Sequence, residues 1–87
     1  MKVFFYMGRN SQNRTGVSWK IWEIQTSGRT VTTRWGPAEI RNRVVVAKSR
    51  LQEKERSFGS PEEAKAHEQQ RIASKLRKGY ETQPRRR

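Results

Sequence analysis

The segment Trp35-Gly36-Pro37, entered from Thr30-Val31-Thr32-Thr33-Arg34, brings together residue types suited to one kind of chemistry. An indole at the end of a β-branched run offers a flat face on which a base or sugar can stack, a contact worth roughly 1–3 kcal/mol per base. Gly36 has no side chain, so the backbone there can approach a phosphate closely. Arg34 precedes the indole, and Arg41, Arg43, Lys48 and Arg50 follow it, opposed within that stretch only by Glu39. A guanidinium presents a planar fork that matches phosphate oxygens two at a time. Each residue also has a plainer role. Trp35 suits a core position under a helix, Gly36 suits a turn before Pro37, and the cations suit the solvated face of an arm.

The charge of the whole chain favours the nucleic-acid alternative. Lys and Arg number 20 against 8 Asp and Glu, a formal net charge of +12. Neutralising phosphates with such cations releases counterions and drives binding without sequence preference. A second cluster, Arg71, Lys75, Arg77 and Lys78, lies where a helix should end, and compensation of the helix dipole explains it equally well. Arg85-Arg86-Arg87 adds non-specific attraction. Nucleic acid is therefore the expected partner, DNA first, with RNA open because stacking and basic grooves serve single strands too. The alternative is an adaptor whose sheet edge or basic arm docks an acidic protein, with charge steering the encounter.

Other classes find little material. There is no Cys, hence no disulfide and no thiolate metal site. His67 is the only histidine, without clustered carboxylates in sequence, so no metal site is expected. No nucleophile–base pattern or phosphate-cradling glycine loop appears, so neither catalysis nor a cofactor is expected. No stretch approaches the roughly 20 apolar residues of a membrane span. Val3 to Met7 is too short for a secretory signal core. A cytoplasmic protein is the expectation.

The elements that must position Trp35 follow from pattern. The 87 residues suit one domain. Only 31% are apolar, so the core must be small and rich in the three Trp, three Phe and two Tyr. Val3–Met7, Trp19–Gln25 and Thr30–Trp35 read as strands, with a polar Gly8–Gly16 loop between the first two. Trp22 and Ile24 share one face of the second, Trp19 and Ile21 the other. Trp22 and Trp19 are both expected to be structural. Gly28 suits a hairpin connection, and Pro37 should stop or bend the third strand. Residues 38–50 fit strand or helix spacing, with an extended hairpin arm favoured. Gln52–Phe58 reads as a last strand. Ser60, Pro61 and Glu63 open a helix, which Gly79 closes. Its apolar stripe is Ala64, Ile72 and Leu76, with Ala73 beside it. Residues 1–80 form the expected domain, and 81–87 a disordered basic tail. The class is α+β: an antiparallel sheet of about four strands with one C-terminal helix packed across it.

With these residues in view, the chain resembles the WGR domain family, named for a Trp-Gly-Arg motif. The likeness rests on Lys20-Ile21-Trp22-Glu23-Ile24-Gln25, Val31-Thr32-Thr33-Arg34-Trp35-Gly36, Phe58-Gly59-Ser60-Pro61-Glu62-Glu63-Ala64 and Ala73-Ser74-Lys75-Leu76-Arg77-Lys78-Gly79-Tyr80, in that order. Family members occur within poly(ADP-ribose) polymerases and as small bacterial proteins. The resemblance implies an antiparallel sheet crossed by a helix, and DNA binding near a break. The motif Trp packs on the terminal nucleotide, and basic neighbours meet the backbone. ADP-ribosylation belongs to a separate catalytic domain, for which 87 residues leave no room. Trp35 and Gly36 match the motif, and Tyr80 matches the helix-end segment. Pro37 stands where the family has Arg, so that residue's role does not carry over. The interval from Trp35 to Phe58 is also longer than usual and lacks the family's glycines. Arg41, Arg43, Lys48 and Arg50 occupy it, and the arm is expected to replace the motif Arg.

Overall fold

Consecutive apolar residues such as Phe4-Phe5 and Ile21-Trp22 point to opposite sides and build a sheet that is apolar on both faces. The computed structural model describes residues 2–9 and 17–82. The elements are β1 (Lys2–Arg9), β2 (Val17–Ser27), β3 (Thr30–Arg41), β4 (Val44–Ala47), β5 (Gln52–Ser57), α1 (Pro61–Arg77) and β6 (Glu81–Thr82). All pairings are antiparallel. The strand order is β4-β3-β2-β1-β6, with β5 also on β3. The α+β class stands, with six strands among the described residues rather than about four. Residues 10–16, most of the expected first loop, lie outside the described residues, as do 83–87 of the expected tail. Glu81 and Thr82, assigned to that tail, pair instead with Phe5 and Phe4.

Two short turns set the register. β2 and β3 join through Gly28-Arg29, with Gly28 at φ +59 and no positive φ at Arg29, as a II′ hairpin requires. β3 and β4 join through Asn42-Arg43, both at positive φ (54 and 67), the sign pattern of a I′ turn. The extended arm favoured for residues 38–50 is therefore a hairpin.

β3 does not stop at Gly36-Pro37. It runs to Arg41 and stays paired with β2 through Pro37 and Ala38. Its other edge changes partner there: β5 covers Thr30–Trp35 and β4 covers Ala38–Arg41. In an antiparallel ladder a residue's N–H and C=O point the same way. The Pro37 carbonyl accepts from the Lys48 N–H on this edge (3.0 Å), so the missing N–H falls in the gap between β5 and β4.

α1 starts and ends as its sequence dictates. Ser60 Oγ accepts the Glu63 N–H at 3.2 Å, with Pro61 at the first helical position. At the far end the Gly79 N–H reaches the Leu76 carbonyl (3.1 Å) and the Tyr80 N–H the Lys75 carbonyl (3.0 Å). With Gly79 at φ +104 this is a Schellman motif.

On the helix-side face, Phe4, Trp22, Ile24, Val31 and Ala64 form one core, joined by Trp35, Phe58, Ile72 and Tyr80. The other face packs Phe5, Ile21, Ala38 and Val45 with Val3, Trp19 and Leu51. Trp22 and Trp19 are both structural, one in each core. The helix stripe differs from expectation. Ala64 is buried and Ile72 half-buried, but Leu76 is 48% exposed. Between Ala64 and Ile72 lies Glu68, which is buried. Its carboxylate accepts from the Thr26 hydroxyl and sits 2.8 Å from Lys2 Nζ.

Burial would raise the Glu68 pKa, but the bonds from Lys2 and Thr26 and the charges of Lys2 and Lys65 outweigh it and hold the carboxyl below its ordinary value. A depressed folded-state pKa gives stability that is present above the unfolded value, about 4.5, and is lost as pH falls through the folded one. Glu68→Gln should therefore flatten the acid limb of a stability–pH curve below about pH 4.5. Urea melts at a series of pH values measure this.

Candidate nucleic-acid interface

Cross-strand rows place the candidate residues. Phe4, Trp22 and Trp35 face one another across β1, β2 and β3. Two residues further along the same face, Tyr6, Lys20 and Pro37 form the next row. In the first row Phe4 and Trp22 are buried and Trp35 is half-buried; in the second Lys20 and Pro37 are exposed. Between them lies a cleft of about 380 Å³, lined by Ser18, Trp19, Lys20, Ile21, Trp35, Gly36, Pro37 and Tyr80. Trp35 thus packs against the core and also lines an open cleft.

Tyr80 forms the wall opposite. Its ring stacks on Tyr6 with centroids 5.3 Å apart, a contact the Schellman turn makes possible by reversing the chain over β1. Burial, then the neighbouring Tyr6, raise the Tyr80 phenol pKa, so the hydroxyl stays a donor at neutral pH. The Lys75 ammonium lies 4.9 Å from the Tyr80 ring centroid and 5.4 Å from that of Trp22. Two aromatic faces thereby hold one cation, and one of them, Tyr80, also lines the cleft. Burial lowers the Lys75 pKa, and the positive charges of Arg71, Lys78 and Lys20 lower it further. Cations crowded in this way are relieved by an anion.

The structure separates the nine candidates. Trp35, Gly36 and Tyr80 meet in the cleft. Lys48 is exposed and bonded through its backbone to Pro37, next to it. Lys78 is the exposed C-cap of α1, near Lys75. Arg34 does not join them. Alternation puts it on the opposite face, where Nε donates to Glu53 at 2.7 Å. Arg41 is exposed near the arm's end and pairs with Glu39 at 3.1 Å. Arg43 forms the arm's tip, and Arg50 is exposed between β4 and β5. The basic arm therefore projects beyond the cleft rather than lining it.

Lys20, which no sequence expectation placed beside Trp35, lines the cleft, and Lys75 was read within the helix-end basic cluster, for which dipole compensation was an equal explanation. Lys20 carried a legible signal: it breaks the apolar face of β2 that Trp22 and Ile24 otherwise make continuous.

Gly36 has a packing role. A Cβ there would lie 2.9 Å from Leu51 Cδ2 on the far side of the sheet. Leu51 is half-buried against the second core. No turn occurs at Gly36; the glycine makes room for Leu51 to cross the strand. Gly36→Ala is expected to cost about 1 kcal/mol by overpacking. Leu51→Ala in the same background should return part of that cost, a coupling that a double-mutant cycle of urea melts would show.

No helix among the described residues is long and apolar enough to cross a membrane. No group of three or more metal-ligating side chains occurs among the described residues. No family model, no curated protein and no solved structure matches the chain.

Proposed function

We propose that this chain is a WGR-like, non-catalytic nucleic-acid binding module that takes DNA, with a preference for an exposed end. The observation that carries this reading is the cleft lined by Trp35, Tyr80 and Lys20, with the Lys75 ammonium over the Tyr80 ring. An aromatic wall open on one side accepts a base that has no further neighbour to stack on. A closed duplex offers no such base. The surrounding ammonium groups suit the phosphates flanking it. Pro37 supplies no charge, so Lys20, Lys48, Lys75 and Lys78 take the backbone contacts, and the arm residues Arg41, Arg43 and Arg50 reach a more distant part of the duplex. Sequence preference should be weak, because phosphate contacts position without specifying.

The test compares a blunt open duplex with the same duplex closed by hairpin loops and with a single strand, each over a salt titration. Tighter binding to the open duplex, with a steep salt dependence, is the expected result. Equal binding to all three would remove the end preference. Weak binding to all three, alongside tight binding to an acidic polypeptide, would favour a protein-docking role.

A further inference from the structure

β5 sorts its charges by face. Glu53 and Glu55 pair with Arg34 and Thr32, on the side away from the helix. Lys54 and Arg56 pair with Thr33 and Val31, on the helix side. There they meet Arg71 and His67 of α1 around a pocket of about 190 Å³, completed by Thr33 and Val31. No carboxylate lines it. Among the described residues, none of Lys54, Arg56 and Arg71 makes an ion pair.

The pocket is held in shape. Phe58 packs against the His67 ring at a tilt, with centroids 4.8 Å apart, and the Arg56 guanidinium lies 5.0 Å from the same phenyl centroid. The Thr33 hydroxyl donates to the Lys54 carbonyl at 3.4 Å, a long bond that a better acceptor would replace. Cations gathered without a counter-charge repel one another. Burial, then Arg56 and Arg71, depress the His67 pKa, so the imidazole is held neutral.

We propose that Lys54, Arg56, His67 and Arg71 form a binding site for a phosphoryl group, separate from the Trp35 cleft. Two guanidinium forks and an ammonium supply charge-assisted donors, and the imidazole becomes a further donor once protonated. The site stands on its own residues and does not depend on stacking at Trp35. Thr33 and Trp35 lie two apart on one face of β3, so a nucleotide chain following that strand would meet both.

The test uses His67, the only histidine of the chain, as its probe by NMR. The full chain is titrated with sodium phosphate, with sodium chloride at matched ionic strength, and with a hairpin-closed DNA duplex lacking terminal phosphates. Phosphate should move the His67 resonances saturably and raise its pKa, whereas chloride should not. Arg71→Gln, and separately Lys54→Gln with Arg56→Gln, should weaken this about tenfold, the scale of a lost charged hydrogen bond. Arg29→Gln, which removes an exposed charge at the β2–β3 turn, should leave it unchanged. Saturation by the closed duplex at lower concentration than by phosphate identifies a backbone diester as the source; saturation by phosphate alone identifies a small phosphate. Equal shifts in chloride and phosphate, or a phosphate response indifferent to Arg71→Gln in a folded variant, would overturn the proposal.

Discussion

Trp35→Ala is expected to lower affinity for an open duplex end roughly 5- to 150-fold, the equivalent of one lost base stack of about 1–3 kcal/mol. Affinity for the hairpin-closed duplex should change far less, because counterion release at the lysines is untouched. Trp35 also packs against the helix-side core, so the substitution costs some stability. Trp35→Leu separates the two effects. It keeps an apolar side chain under α1 but removes the π-face, so it should restore most of the stability and little of the end preference. Fluorescence anisotropy of labelled duplexes, with urea melts of each variant, gives both quantities. A Trp35→Ala variant that bound open and closed duplexes just as the parent does would end the stacking role.

Trp22→Ala should act on the fold before the ligand. Trp22 is 2% exposed, its ring 5.7 Å from that of Phe4 and beneath the Lys75 ammonium. Emptying such a site costs about 3–5 kcal/mol, against a total of about 5–15 kcal/mol for an ordinary domain. The urea midpoint should fall sharply, and at physiological temperature much of the chain should be unfolded. Binding by the folded remainder should also weaken, because Lys75 loses one of its two aromatic supports. Together the two tryptophans separate core from cleft: one residue further along the same cross-strand row, the dominant effect passes from stability to recognition.

How far these roles could be read from sequence depends on range. The faces of β2 and β3 follow from period-two alternation, so the opposition of Trp22 and Trp19 was legible. The ends of α1 were legible because Ser60, Pro61 and Gly79 act within one turn. The course of β3 through Gly36-Pro37 was not. A proline disfavours a ladder position by default, and only the change of partner from β5 to β4 leaves its missing donor without a bond to lose. Glu68 was illegible for a similar reason: its partners, Thr26 and Lys2, come from distant strands. Arg34 misleads because it is adjacent to Trp35 in sequence, and adjacency in a strand means opposite faces. Tyr80 entered by resemblance alone. The cleft it completes depends on a chain reversal that local sequence announces but does not aim.

The short strand β6 has a consequence for how the cleft comes and goes. The β2–β3 and β3–β4 hairpins close over two-residue turns and need little loop entropy. β6 joins residues 81 and 82 to residues 5 and 4, at opposite ends of the chain. Such a contact forms late in folding and opens early in thermal fluctuation. Amides of Glu81 and Thr82 should therefore exchange with solvent well before those of β2 and β3. When that strand lifts, Tyr80 leaves the margin of the helix-side core and the cleft loses a wall, while the buried residues of both cores stay packed. Observed affinity then scales with the fraction of molecules in which the strand is docked.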